Sequence, residues 1–502
     1  MTARTHDEVL FAADEGVKLT RSLGRLDMIF FTVGATFALD SIAQIAATGG
    51  AESFTWGLVV AVTFLVPYAF ITAELGSAFP QEGGPYFWVK YAFGRLAAAI
   101  STMLWWITNP VWLGGSLAFL ATATWGSFIS PLNSGSFGDY FFKFVFIWLG
   151  ILAAIVSIRL GKYFLNVGTI IKLSVVSFFL LTVVIYGIQN GVHGYSVGDY
   201  APSLTGFLAV TPVMLFALSG YEAENGAAEE MRNPQRDVPI AVAVSGSIAT
   251  LSYLIPILAM IVILPIKQIT GAGGFMDAVS TVFTVYGGAH DVLLKIVAVL
   301  FIFCLLHQGS AWMIGSDRVQ AIAGVDGSFP KFFGRFHPRL ETPVRVNMLS
   351  GVVATVFCIL ATTLVHGSVG AIFAVVLTIA ITTLLLSYLI ILPSAWALRR
   401  TQPDVARPFR VPGGRTGLNI STALVFFWVA FGSFVAVFPG VLERLFGIDY
   451  DFTGTWGVSR TTFEAFTIGT LVVVVGTAVL GYVWPRLRGR AGPDIGSAAE
   501  AV

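Results

Sequence analysis

The sequence predicts an all-α membrane protein with twelve transmembrane helices, and three observations predict it. Of its 502 residues 56% are hydrophobic and only 11% charged, with a mean hydropathy of +0.81, whereas soluble globular chains carry roughly 25% charged residues. Apolar runs of the length a bilayer core of ~30 Å requires, about 20 residues each, recur twelve times. Lys and Arg are distributed unevenly between the loops on the two sides. If the amino terminus is inside, five of the 29 basic residues face outward (Lys143, Lys267, Lys295, Arg444 and Arg460) and Lys172 falls within a helix, leaving 23 inside. This is the asymmetry that the positive-inside rule demands of a correct topology, and an odd number of missed helices would scramble it.

In chain order, residues 1–25 hold Asp7, Glu8, Asp14, Glu15, Lys18, Arg21 and Arg25 without an apolar core or a cleavage site, and so read as a cytoplasmic tail and not a signal peptide. The first apolar run, 26–48, carries Asp40, Ser41 and Gln44 inside it. The second, 55–78, ends before the punctuated segment 80–94, PQEGGPYFWVKYAFG, which is read as an inner loop. The third, 97–128, contains Trp105, Trp106, Asn109-Pro110 and Trp112. The fourth spans 140–158, and the fifth, 164–188, carries Lys172 about eight residues in, roughly 12 Å deep. The sixth, 203–223, ends in acids. The seventh is 238–264, and the eighth, 292–323, contains His307-Gln308. The ninth to twelfth are 344–364, 369–396, 421–441 and 463–484. Segments 229–239 and 401–415 are further inner loops, 442–460 is the main late outer loop, and 486–502 is a Gly/Ala-rich cytoplasmic tail of disordered composition. The organisation expected is a tail, 1–25; a core of ten helices, 26–396; a loop with helices eleven and twelve, 397–485; and a tail, 486–502.

Two helices are interrupted at depth. Polar or Gly-rich backbone is tolerated there only when it lines a cavity or is buried in protein. One interruption is Ala38-Leu39-Asp40-Ser41 in the first helix; the other is Phe216-Ala217-Leu218-Ser219-Gly220-Tyr221-Glu222 in the sixth. First and sixth is the placement expected if helices one to five and six to ten are inverted repeats, each opening with a discontinuous helix. An acid at the helix centre costs ~2.5–3.5 kcal/mol on insertion scales. Asp40 is therefore either a ligand- or ion-facing acid or a structural acid bonded to a neighbouring broken helix, and the same choice holds for Glu222, nearer the inner end. Glu224, Glu229 and Glu230 read as loop or helix-end charges. Lys172 either snorkels to the inner headgroups or is a buried amine used in gating or coupling. His307 and Gln308 fit a satisfied interhelical contact or part of a pathway. Asn109 fits a cap on the Pro110 kink, and the tryptophans fit packing, an interface belt or pathway lining.

Several stretches in order resemble the amino acid/polyamine/organocation superfamily of permeases, a likeness covering Arg25 to Gly414. They are Ala73-Glu74-Leu75-Gly76 with 80–88; Gly220-Tyr221-Glu222 with Glu229-Glu230 and Asn233-Pro234; Asp326-Gly327-Ser328-Phe329-Pro330 with Phe336-His337-Pro338-Arg339 and Thr342-Pro343; and Arg407-Pro408-Phe409-Arg410-Val411-Pro412. The resemblance implies the LeuT-type five-plus-five inverted-repeat fold with two extra helices, and proton-coupled uptake or exchange of amino acids or polyamines. It implies a substrate site at Ala38, Asp40, Ser41 and Gln44 of helix one and Phe216, Ser219, Gly220, Tyr221 and Glu222 of helix six. Members that recognise amino acids carry a Gly-x-Gly type segment where this chain has an acid, Asp40. An acid in helix one before Ser, with an aromatic–acid pair in helix six, is similar to the polyamine-uptake branch. Lys172 matches the helix-five lysine of many sodium-independent members and is the expected coupling residue.

The function expected is a secondary active transporter of the inner membrane, multi-pass with both termini cytoplasmic. It would move a cationic amine, polyamine or cationic amino acid, with a neutral amino acid permease or exchanger as the alternative. Its partners would be a small-molecule substrate, protons and the bilayer. A net charge of +1 gives no reason for a nucleic-acid partner. Cys304 and Cys358 lie in apolar runs and read as small core residues, not a disulfide framework or metal site, and no cofactor is expected. A membrane-embedded enzyme would need a nucleophile–base pair or metal cluster at depth, and six scattered histidines supply neither. A channel or sensor on the same fold would bind substrate without concentrating it.

Overall fold

The computed structural model describes residues 21–487 apart from 157, 193–195, 266–268, 270–272 and 365–368. The expected tails before residue 21 and after 487, and Lys267, lie outside the described residues. Among these residues ten helices are long and apolar enough to cross a membrane, and a bent pair makes an eleventh if counted as one span.

The bent pair is α1 (Arg25–Thr36) and α2 (Leu39–Gly49), which meet at 43°. Phe37 and Ala38 between them are extended, with ψ of 108° and 114°. After α3 (Glu52–Ala78) comes α4 (Gly84–Phe93). The sequence predicts a loop here from its Gly-Gly-Pro punctuation. The structure shows ten helical residues instead, because a proline in the first turn needs no N–H and Tyr86 to Lys90 are buried against the protein. The long helices α5 (Arg95–Phe128), α6 (Phe137–Ile155) and α7 (Ile158–Asn190) follow.

The predicted sixth span is helical only over α8 (Leu204–Ala217), fourteen residues or ~21 Å. The backbone then unwinds through Leu218 to Glu222 and re-forms as a 3₁₀ segment, Ala223–Glu230. Gly220, at φ +105°, makes the turn, in a region L-residues avoid. The chain continues through α9 (Pro234–Ile263), an unpredicted helix α10 (Gly274–Phe283) in the loop before the eighth span, and α11 (His290–Val325). It closes with α12 (Val344–Leu364), α13 (Val369–Ile391), α14 (Ser394–Thr401), α15 (Gly414–Val437) and α16 (Arg460–Leu487).

α9 lies along α1 and α3, α11 along α5, α6 and α7, and α13 along α5. Just before α1, Leu23 pairs in parallel with Met231, after the sixth-helix break, through Leu23 N–H to Glu230 C=O (2.9 Å) and Arg232 N–H to Leu23 C=O (3.0 Å). The ends of the two broken elements are thus tied together.

Candidate functional site

A helix that stops inside a protein leaves its last carbonyls without partners. At the end of α1 each one is accounted for. Val33 C=O accepts from Phe37 N–H (3.0 Å). The Lys172 ammonium donates to Gly34 C=O (2.8 Å) and Phe37 C=O (2.7 Å). The Trp312 indole donates to Ala35 C=O (2.8 Å), and the Tyr253 hydroxyl to Thr36 C=O (2.8 Å). Tyr253 also accepts from Ala38 N–H (2.7 Å), so one hydroxyl bridges both sides of the break.

Lys172 is fully buried, with its ammonium hydrogen-bonded to main-chain carbonyls and not extended toward the headgroups as a snorkelling lysine's is. α7 begins at Ile158, six residues before the apolar run, and Lys172 lies fourteen residues, ~21 Å, along it. A cation there also complements the negative end of the α1 dipole.

Asp40 sits in the first turn of α2, buried. One carboxylate oxygen accepts from the Trp112 indole (3.1 Å) and the other from the Gln308 amide (3.0 Å). Trp112 also meets Phe216 edge to face at 5.3 Å, which brings the helix-one acid and the helix-six aromatic together. Ser41 is buried beside Asp40. Gln44 is not with this group. It stands a turn farther along α2, half-buried, and donates to Thr48 (3.3 Å).

The sixth-helix break is bound differently. Glu222 accepts from the hydroxyls of Tyr68 and of Tyr388 (2.7 Å) and from the Trp105 indole (2.8 Å). The Tyr68 hydroxyl in turn accepts the freed N–H groups of Gly220 (2.9 Å) and Tyr221 (3.1 Å). Ser219 donates back to Leu215 C=O. Trp312 lies against Gly220, where an added Cβ would come within 2.4 Å of its ring, and meets Trp105 at 5.9 Å. It therefore touches both breaks.

Glu224 bonds the Thr32 hydroxyl of α1, and His307 bonds Leu165 C=O (3.0 Å) through Nε2. Of the acids read as end charges, Glu229 is half-buried, whereas Glu230 is buried, and the equally buried Arg318 reaches it (Nε 3.1 Å) and Glu82 (3.3 Å). Burial pushes the Glu82 and Glu230 carboxyls above the usual carboxylate range, with Arg318 opposing. Asp317 is held by Trp106, Ser350 and Asn347.

Sequence reasoning missed Trp312, Tyr253, Tyr68 and Tyr388. The available signal was tyrosine deep in an apolar span, since tyrosine otherwise favours membrane interfaces. Among the described residues no three His, Cys, Asp or Glu side chains are grouped to hold a metal.

The profile of the family described as Amino acid permease matches residues 23–451. The chain is 25% identical to a probable agmatine/putrescine antiporter, AguD, of Lactococcus lactis subsp. lactis, covering 90% of this chain and 93% of the relative. It is 31% identical to an uncharacterized transporter of Legionella pneumophila, covering 77% and 84%. It is 26% identical to the branched-chain amino acid permease BcaP of Bacillus subtilis, covering 80% and 86%.

Proposed function

The chain belongs to the amino acid permease family, a multi-pass membrane transporter and not an enzyme, and from that premise we propose that it is a sodium-independent, proton-coupled secondary transporter of cationic amines or cationic amino acids. The observation that carries the substrate class is the charge buried around the two breaks: the carboxyl groups of Asp40, Glu222 and Glu224 against one amine, Lys172. An excess of acid at low dielectric favours a cationic guest. A relative named as an agmatine/putrescine antiporter is in keeping with this reading.

Sodium independence rests on Lys172. Its ammonium occupies the point where two main-chain carbonyls converge, the kind of oxygen cage a sodium ion would need. Substrate would meet Ala38, Asp40, Ser41, Phe216, Ser219, Gly220, Tyr221 and Glu222, with Gln44 a turn away and Lys172 as the coupling group. The frame of this reading is twelve helices in a five-plus-five inverted repeat plus two, in the cell membrane. Both termini are cytoplasmic, 26–396 forms the transport core, and 397–485 holds the loop with the last two helices.

A neutral amino acid permease or exchanger is the second reading. It is favoured by Asp40 already accepting two protein hydrogen bonds, as a structural acid would, and is in keeping with the branched-chain relative.

Uptake by proteoliposomes separates the two. Putrescine, agmatine, lysine and leucine are compared with and without a pH gradient, in choline and in sodium buffer, for wild type and Asp40→Asn. At an effective dielectric of ~20 and ~4 Å, a charge pair is worth on the order of 4 kcal/mol before desolvation, roughly a thousandfold in affinity. Amine uptake should thus fall by about a hundredfold or more in a variant that still purifies intact. Normal amine uptake by Asp40→Asn, or uptake of leucine alone by wild type, would overturn the amine reading.

A further inference from the structure

Above the breaks, on the side covered by the segment between α15 and α16, lies a cavity of about 130 Å³. Its walls come from the second half of the broken first helix (Gln44), from α8 (Pro212) and from α13 (Thr378). Its cover is the segment after α15, which contributes Glu443, Tyr450 and Trp456. Gln44 is one helical turn beyond Asp40, and Pro212 one turn before Phe216, so the floor of the cavity is a single turn, ~6 Å, from the residues at the breaks.

Glu443 is the unusual member. It is 5% exposed and faces the cavity, and among the described residues no side chain bonds or pairs with its carboxylate. The residue is enclosed while its carboxylate oxygens open onto the cavity, and a carboxylate in a confined space of low dielectric favours a cationic guest. The cation on the adjoining helix does not serve it: Arg460 is turned to Glu464 (3.4 Å) and lies over the Phe452 ring (4.7 Å). The other polar groups are arranged for an organic cation. The Trp456 indole donates to the Tyr450 hydroxyl (2.7 Å), which fixes two aromatic faces at the cavity rim, and such faces attract an ammonium. Burial, with the Glu443 charge adding to it and the Trp456 hydrogen bond opposing it, pushes the Tyr450 hydroxyl up to about 12, so Tyr450 stays a neutral phenol at physiological pH.

We propose that this cavity is a second, outer binding site for an organic ammonium, with Glu443 as its counter-ion and Tyr450 and Trp456 as its aromatic walls. It rests on the transport reading for its ligand class and for its facing outward. One turn from the breaks, on the line along α2 and α8, it would hold an arriving amine before the inner site receives it. An amine that is bound there but not carried would block the same line.

The test is radiolabelled putrescine binding to purified full-length protein in lipid nanodiscs, for wild type, Asp40→Asn, Glu443→Gln and the double variant, beside uptake in proteoliposomes. Asp40→Asn should keep one putrescine per chain, and adding Glu443→Gln should weaken that remaining binding at least tenfold. Glu443→Asp, which keeps the charge, should stay within a few-fold of wild type. Ala436→Phe, which fills the cavity without touching a charge, should weaken binding as Glu443→Gln does, so a fold defect in one variant does not decide the result. Equal binding by Asp40→Asn and the double variant would overturn the outer site and leave the transport reading standing. Glutamate-dependent putrescine binding in a protein that carries no amine would support the site as one for a blocking amine while overturning amine transport. Absence of putrescine binding in wild type would overturn both.

Discussion

Replacing Lys172 by Met tests the joint at the end of α1. Methionine keeps an unbranched stem of similar length and removes only the charge and the donors. The Gly34 and Phe37 carbonyls, now bonded at 2.8 and 2.7 Å, are then left without a partner in a buried region. An orphaned buried acceptor costs ~1–3 kcal/mol, so two cost about 2–6 kcal/mol. Relief from burying an ammonium and the entry of a water both reduce this, placing the net loss near the low end. At ~2 °C per kcal/mol for a large chain, the apparent melting temperature should fall by roughly 4 °C or more, read by fluorescence-detected size exclusion after heating. Proton-driven uptake should fall at least tenfold in choline and in sodium buffer alike. A variant that melts with wild type and transports at full rate would remove Lys172 from both the clamp and the coupling. A strict sodium requirement in the wild type would refute the idea that its amine stands in a cation's place.

Two further substitutions probe the second break and the buried ion cluster. Gly220→Ala forces a side chain onto a residue at φ +105° and brings Cβ within 2.4 Å of Trp312, itself pinned to Ala35. Overpacking and backbone strain at ~1–3 kcal/mol each should sharply lower the yield of monodisperse protein, and a wild-type yield and melting temperature would count against the strain. Arg318→Met leaves Glu82 and Glu230 buried without their cation, a loss of ~3–5 kcal/mol. Both carboxyls already sit above the ordinary range through burial and rise further without Arg318, so folding takes up protons. Stability is then fully present below about pH 4.3, the unfolded value, and is lost as pH rises through the folded values. The deficit against wild type should therefore be larger at about pH 8 than at about pH 5, and a deficit independent of pH would sink this account.

The positions of both breaks were legible in the sequence because each announces itself locally, one by Asp40-Ser41 inside an apolar run and the other by Ser219-Gly220 before an acid. What completes them was not. Tyr68, Tyr253, Trp312 and Tyr388 sit in four different helices, and each looks like one more aromatic packing residue until the fold aims its hydroxyl or indole at a freed carbonyl, N–H or carboxylate. The environment of Glu230 was hidden for a similar reason. Its partner Arg318 lies 88 residues away at the end of an apolar run, and nothing near either residue in the chain reveals the pairing. α4 was missed because Gly83-Gly84-Pro85 signals a turn and a helix start with the same residues.

The two breaks are held by different helices, and this bears on how they can move. The end of α1 hangs on four hydrogen bonds, two from Lys172 on α7, one from Tyr253 on α9 and one from Trp312 on α11. At a net ~0.5–1.5 kcal/mol each, sliding α1 off these helices costs about 2–6 kcal/mol before water takes the carbonyls. Water can do so only once a path to it has opened, so the barrier falls as the opening proceeds. The sixth-helix break is fastened instead to α3, α5 and α13, through Tyr68, Trp105 and Tyr388 on Glu222. The two sets of fasteners meet at Trp312, whose indole holds Ala35 while its ring covers Gly220. A displacement of α1 that pulls on Ala35 therefore moves the ring that fills the space beside Gly220, where the backbone has no side chain of its own to resist. Coupling between the breaks follows from that shared side chain, from Trp112 between Asp40 and Phe216, from the Thr32–Glu224 hydrogen bond and from the Leu23–Met231 pairing at their ends, without any contact between Asp40 and Glu222.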